Sequence, residues 1–127
     1  MASATVFVVS GDPAVRDSLA ELLGSAGLRA TTFDSLEQWR EAVPPEQPGC
    51  LILDARVSEV TGPEHPEGLA RICAMRPVLM LIDRGDVPIA VRAIREGAVD
   101  VLEKPYRDQI LLARVGMALH GDRRPAG

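Results

Sequence analysis

The sequence predicts one α/β domain built on a parallel sheet with helices on both faces, and three observations carry that prediction. The chain has 127 residues, enough for one buried core and too few to divide comfortably into two. Five short runs rich in Val, Leu and Ile recur along it, each of strand length. Between them lie segments with helical patterning, and strands alternating with helices through short loops imply right-handed crossovers and a sheet covered on both sides.

The strands are expected at Thr5 to Val9, Leu28 to Phe33, Cys50 to Asp54, Val78 to Ile82 and Asp100 to Lys104. The first helix is the clearest. Val15, Leu19, Leu22, Leu23 and Ala26 form one apolar face, and Gly27 supplies the stop. Asp12 before Pro13 opens it well, because an Asp cap accepts from an orphan N–H and proline lacks only a donor that has no partner there. A second helix is expected from Ser35 to Ala42 behind a cap at Asp34 or Ser35, and it carries the single Trp39, read as packing. Pro63, Pro66 and Gly68 delay the third, which should begin near Glu67 after an irregular loop. The fourth should run from Val87 to Glu96 behind Asp86 and stop at Gly97, and the fifth from Asp108 to His120. Residues 1–120 then form the domain, and 121–127, the end of the tail HGDRRPAG, have linker composition.

Composition narrows the function. Apolar residues make up 46% and charged residues 25%, ordinary for a globular protein, and no apolar run approaches the roughly 18 residues needed to span a bilayer. The start, MASATVFVVSGD, has no export pattern, so a cytoplasmic location is expected. Net charge is −4 with scattered basic residues, a poor footprint for direct binding to nucleic acid or anionic lipid. Cys50 and Cys73 lack paired spacing and read as buried, reduced thiols. His65 and His120 stand apart from any ligand pattern and read as solvated. P-loop, dinucleotide, G-x-S-x-G and H-E-x-x-H patterns are absent, which argues against an ordinary enzyme. A flavin site would need several hydroxyl and glycine donors after the first strand, and SGDPAV offers one of each.

In sheets of this kind, chemistry gathers just beyond the carboxyl ends of the strands, which here means Ser10, Gly11, Asp54, Ile82, Asp83 and Lys104. With LILDARVSEVTG and RGDVPIAVRAIREGAVDVLEKPY in place, the chain resembles a response-regulator receiver domain, and especially receivers of nitrogen-fixation transcriptional regulators. The resemblance spans about Thr5 to Leu119 and implies a flavodoxin-like (βα)5 sandwich with strand order 2-1-3-4-5.

The resemblance also assigns roles, several of which this sequence does not support. The phosphorylatable aspartate maps onto Asp54 and the lysine closing the fifth strand onto Lys104. The acidic pair that holds magnesium with that aspartate and a backbone carbonyl, here of Arg56, falls on Ser10 and Gly11. Magnesium relies on a few well-placed carboxylates, and one charge pair at about 4 Å is worth roughly 4 kcal/mol at an effective dielectric near 20, so their loss should remove most affinity. Asp12 sits one residue too late and is better placed to cap the helix; a residual metal site would have to use Asp54, Asp12 and Arg56. The phosphate-binding Thr or Ser position holds Ile82, the small residue beside it is Asp83, and the aromatic switch position holds Val101. Arg84, Arg56 and Arg107 are candidates to surround the mouth of the site.

These residues point to an atypical receiver: a signalling or transcription-regulation module, not an enzyme, without cofactor and independent of aspartyl phosphate and magnesium. Asp54 and Lys104 are then expected as an ion pair in direct or water-mediated contact. The resemblance implies a protein partner or second copy on the fourth helix, fifth strand and fifth helix, and because more apolar residues occur there than one buried helix face requires, Ile89, Arg92, Ile94, Arg95, Leu111, Leu112, Val115 and Leu119 are candidate contacts. The alternative is a competent receiver taking phosphoryl from a histidine kinase at Asp54, with magnesium as cofactor.

Overall fold

The computed structural model describes residues 4–55 and 68–122. The expectations for Arg56, His65 and the helix start near Glu67 fall outside them. Five parallel strands, β1 (Thr5–Val9), β2 (Arg29–Phe33), β3 (Gly49–Asp54), β4 (Val78–Ile82) and β5 (Asp100–Glu103), lie in the order β2-β1-β3-β4-β5. The described helices are α1 (Pro13–Ser25), α2 (Leu36–Ala42), α3 (Gly68–Met75), α4 (Val87–Arg95) and α5 (Asp108–His120). This is the flavodoxin-like arrangement, with strands and helices close to the limits expected from apolar spacing and caps.

The three central strands are buried along their whole length, which is why they read as unbroken apolar runs, whereas β2 and β5 lie at the edges and are more exposed. Side-chain alternation divides the core in two. Phe7, Val9, Leu51, Leu53 and Met80 pack on one face against Leu36 and Trp39 of α2, Leu69 and Ile72 of α3 and Ala93 of α4. Val6, Val8, Ile52, Leu79 and Leu81 pack on the other against Leu19 and Leu23 of α1 and Leu111, Val115 and Ala118 of α5. Each fully buried Leu, Ile or Phe contributes about 1.5–3 kcal/mol, so both layers are needed for a stable fold.

Helix phase corrects part of the expected contact surface. Leu111 and Val115 are fully buried against the sheet, and Leu112, Leu119 and Ile89 are partly buried in the same two layers. Arg92 is half-buried and bonded to Glu96 at 3.1 Å. Of the named contacts, Ile94 and Arg95 remain exposed, while Val87, Val91, Val99, Ile110 and Met117 supply apolar surface that the expectation missed. The count of apolar residues exceeded one buried face, but the surplus sits on different positions. Cys50 is buried and Cys73 only partly so, and both are free thiols.

The amino end of the sheet is closed by polar contacts. Gly49, at φ 144°, has no room for a side chain, because a Cβ would meet Thr5 O at 2.0 Å. Its N–H donates to Asp122 Oδ2 at 2.6 Å, just beyond α5. The buried Arg76 guanidinium lies over Phe7 and Trp39, 4.9 and 5.5 Å from their ring centres, and reaches the carbonyls of Gly49, Pro44 and Pro45 at 3.5 Å. Trp39 packs as expected, with its indole N–H unpartnered among the described residues.

Candidate functional site

At the opposite end of the sheet, register brings the strand-terminal residues together. Val9 pairs with Leu53, so Ser10 lies beside Asp54, and Asp54 pairs with Leu81 on β4. Ile82 pairs with Glu103, and the Lys104 N–H donates to Ile82 O at 2.9 Å, which carries Lys104 past the end of β5 toward β3.

Asp54 is 2% exposed, and both its oxygens accept bonds. The Ser10 hydroxyl, itself fully buried, donates to Oδ2 at 2.8 Å. Lys104 Nζ donates to Oδ1 at 2.9 Å and also stands 3.7 Å from Asp83 Oδ1. The inner pair combines a buried carboxylate with a partly buried ammonium and is strengthened by low local dielectric; the Asp83 arm is longer and faces water.

Asp12 is turned away from this centre. Its Oδ1 accepts from Ala14 N–H at 2.9 Å as the cap of α1, while its own N–H donates to Ser10 Oγ at 3.1 Å. Ser10 Oγ therefore receives one bond and gives one, which fixes its proton on Asp54. Gly11 is exposed, with nothing within 4 Å of where a Cβ would lie. Ile82 is buried in the core layer beside Ile89, Ala90 and Val101. No hydroxyl or aromatic ring connects Asp54 to α4 at these two positions.

Arg84 and Arg107 are exposed. Among the described residues, the arginine that reaches the site is Arg16, whose Nη1 donates to Ser10 O at 2.7 Å from the first turn of α1. Its signal was available in the sequence as a cation one helical turn after the cap at Asp12. Glu103 was also missed: its Oε2 accepts from Gly85 N–H at 3.1 Å and ties the β4–α4 loop to β5. Tyr106 lies near the rim with its hydroxyl pKa raised, first by burial and then by the charges of Asp108 and Asp54, so it stays protonated at neutral pH. Among the described residues, no group of three or more His, Cys, Asp or Glu is placed to hold a metal ion.

A 2-1-3-4-5 sheet with a buried aspartate ending its third strand and a lysine reaching it from its fifth defines the receiver class. The response regulator receiver domain family matches residues 6–116, and the chain belongs to that family. It is 40% identical over 121 residues to nodulation protein W of Bradyrhizobium diazoefficiens, covering 95% of this chain and 53% of that protein. To transcriptional regulatory protein FixJ of the same organism it is 39% identical over 114 residues, covering 90% and 56%. The crystal structure of FixJ-N superposes with a TM-score of 0.82 at 31% identity, covering 95% of this chain and 97% of that one. The chain spans about half the length of the curated relatives it matches. It is a receiver domain of the kind found in transcriptional response regulators. Among the described residues, no helix is long and apolar enough to cross a membrane.

Proposed function

We propose that this domain is an atypical receiver, a cytoplasmic interaction module in transcriptional signalling that works without aspartyl phosphate or magnesium. The observation that carries this reading is the closed state of Asp54, with Ser10 on one oxygen and Lys104 on the other. Magnesium wants a near-octahedral set of oxygens and keeps its waters reluctantly. The described rim offers it one carboxylate that already accepts two bonds, a hydroxyl at Ser10, no side chain at Gly11, and Asp12 engaged as a cap. These residues do not fit the ion.

Activity then consists of binding a protein partner or second copy. The exposed apolar stripe Val87, Val91 and Ile94 on α4, with Val99 leading into β5, supports that surface. Two of its charged neighbours are paired within the chain, Arg92 with Glu96 and Arg114 with Asp100, and Arg95 is exposed beside Ile94.

A second reading is favoured by one observation: the acceptor position and its lysine are both retained in direct contact. In that reading a carboxylate oxygen of Asp54 attacks the phosphorus of a phosphohistidine, the P–N bond breaks to return histidine, and Lys104 steadies the product charge. One measurement separates the readings. After incubation with acetyl phosphate and magnesium, the intact mass is expected to be unchanged, and a gain of about 80 daltons, one phosphoryl group, on Asp54 would overturn the proposal. Ser10→Asp with Gly11→Asp, which Gly11 has room for, is expected to create saturable magnesium binding by calorimetry where the unaltered domain has none.

A further inference from the structure

We infer that Asp54 and Asp83 share Lys104, and that this sharing sets how firmly the β4–α4 loop holds the start of α4. The inference rests on the proposed reading of Asp54 and Lys104 as a retained ion pair. Lys104 Nζ stands 2.9 Å from Asp54 and 3.7 Å from Asp83, between a buried carboxylate and one that is 55% exposed. The ammonium favours Asp54, the nearer and more buried of the two. Neutralising Asp54 releases it toward Asp83, and neutralising Asp83 leaves it wholly with Asp54.

Asp83 is well placed to pass on that change. Its carbonyl accepts from Asp86 N–H at 3.1 Å, and Asp86 is the cap of α4, accepting from Ile89 N–H at 3.4 Å. Between them, Gly85 at φ 79° closes the turn, its carbonyl accepting from Val87 N–H at 2.8 Å and its own N–H donating to Glu103. The loop is thus fastened to β5 by two carboxylates reaching in opposite directions, Asp83 to Lys104 and Glu103 to Gly85. Ile82 and Val101 provide no polar route between Asp54 and α4, and the shared ammonium is a contact through which the charge of Asp54 reaches the loop before the exposed α4 stripe. Asp83 is therefore a positioning residue for α4.

The test is amide hydrogen exchange at Gly85, Asp86 and Val87, read by NMR on the intact chain without metal or phosphodonor. Asp83→Ala is expected to speed exchange at these amides about two- to fivefold, the range for one partly exposed ion pair. Asp54→Asn is expected to slow it by a similar factor. In a Lys104→Met background, Asp83→Ala should have no further effect. Equal rates in the unaltered, Asp83→Ala and Asp54→Asn chains would overturn the inference, as would an Asp83→Ala effect that survives Lys104→Met. Should Asp54→Asn fail to fold, the comparison of Asp83→Ala with and without Lys104 decides alone. Phosphoryl gain at Asp54 would remove the proposed function while leaving these exchange rates to judge the sharing separately.

Discussion

A hydroxyl at position 10 can donate, whereas a carboxylate there could only accept, and the difference sets the state of Asp54. Ser10 turns a position that would repel the acceptor aspartate into one that bonds it. Ser10→Ala leaves the buried Oδ2 without this donor and is expected to cost about 1–2 kcal/mol in urea unfolding. Lys104→Met removes the ammonium paired with Asp54 and should cost more, about 3 kcal/mol, the low end of the range for broken buried pairs because Lys104 is partly exposed. Asp54 and Lys104 were legible in the sequence because each closes an apolar run, and strand ends converge in a parallel sheet. Arg76 was not, and Arg16 was marked only by its place one turn after the cap. Their partners are backbone carbonyls, which every residue carries, so no partner residue type marks them.

Among the elements, α1 shows local chemistry written plainly: Asp12, Pro13 and the Leu19 and Leu23 face give its start, its cap and its buried side. Asp12→Ala is expected to lower stability by about 1 kcal/mol without altering the Asp54 contacts, checked by thermal melting and by the Ser10 and Asp54 resonances. The phase of α5 was harder to read. Its sequence is apolar nearly all round, so the burial of Leu111, Val115 and Ala118 against the sheet, with Ile110 and Met117 left outside, follows from packing and not from pattern. The onset of β3 was read one residue late for a related reason. Gly49 reads as a turn glycine, yet its close approach to Thr5 places it in the strand. Gly49→Ala combines a clash with unfavourable φ and is expected to cost about 3 kcal/mol or more, seen as a large fall in melting temperature.

For the whole molecule, the fold followed from alternation of short apolar runs with helices, while strand order came from resemblance and is now seen directly in the sheet. The buried layers also predict a pH response. Burial, followed by the charge of Asp122, pushes the Cys50 thiol from 9.0 up to about 12, and burial pushes Cys73 up to about 11. Above pH 9 the unfolded chain releases thiol protons that the folded chain keeps, so stability is full below that point and falls as pH rises toward 12. Cys50→Ala should flatten part of this alkaline fall, measured as melting temperature against pH, with Cys73 and Tyr106 accounting for a remainder of the same sign. If the α4 face carries self-association, Val91→Asp with Ile94→Glu is expected to give a monomer in sedimentation while leaving the melting temperature within a degree or two, because both side chains are exposed.

The anchoring of the first peptide of β3 by Arg76 and Asp122 lies at the far pole from Asp54, five residues along the same strand. Foundation and rim are thereby mechanically separate. Rim positions can carry Ser and Gly for carboxylates, or Ile for a hydroxyl, without loosening the footing, and a reagent aimed at either pole should leave the other undisturbed.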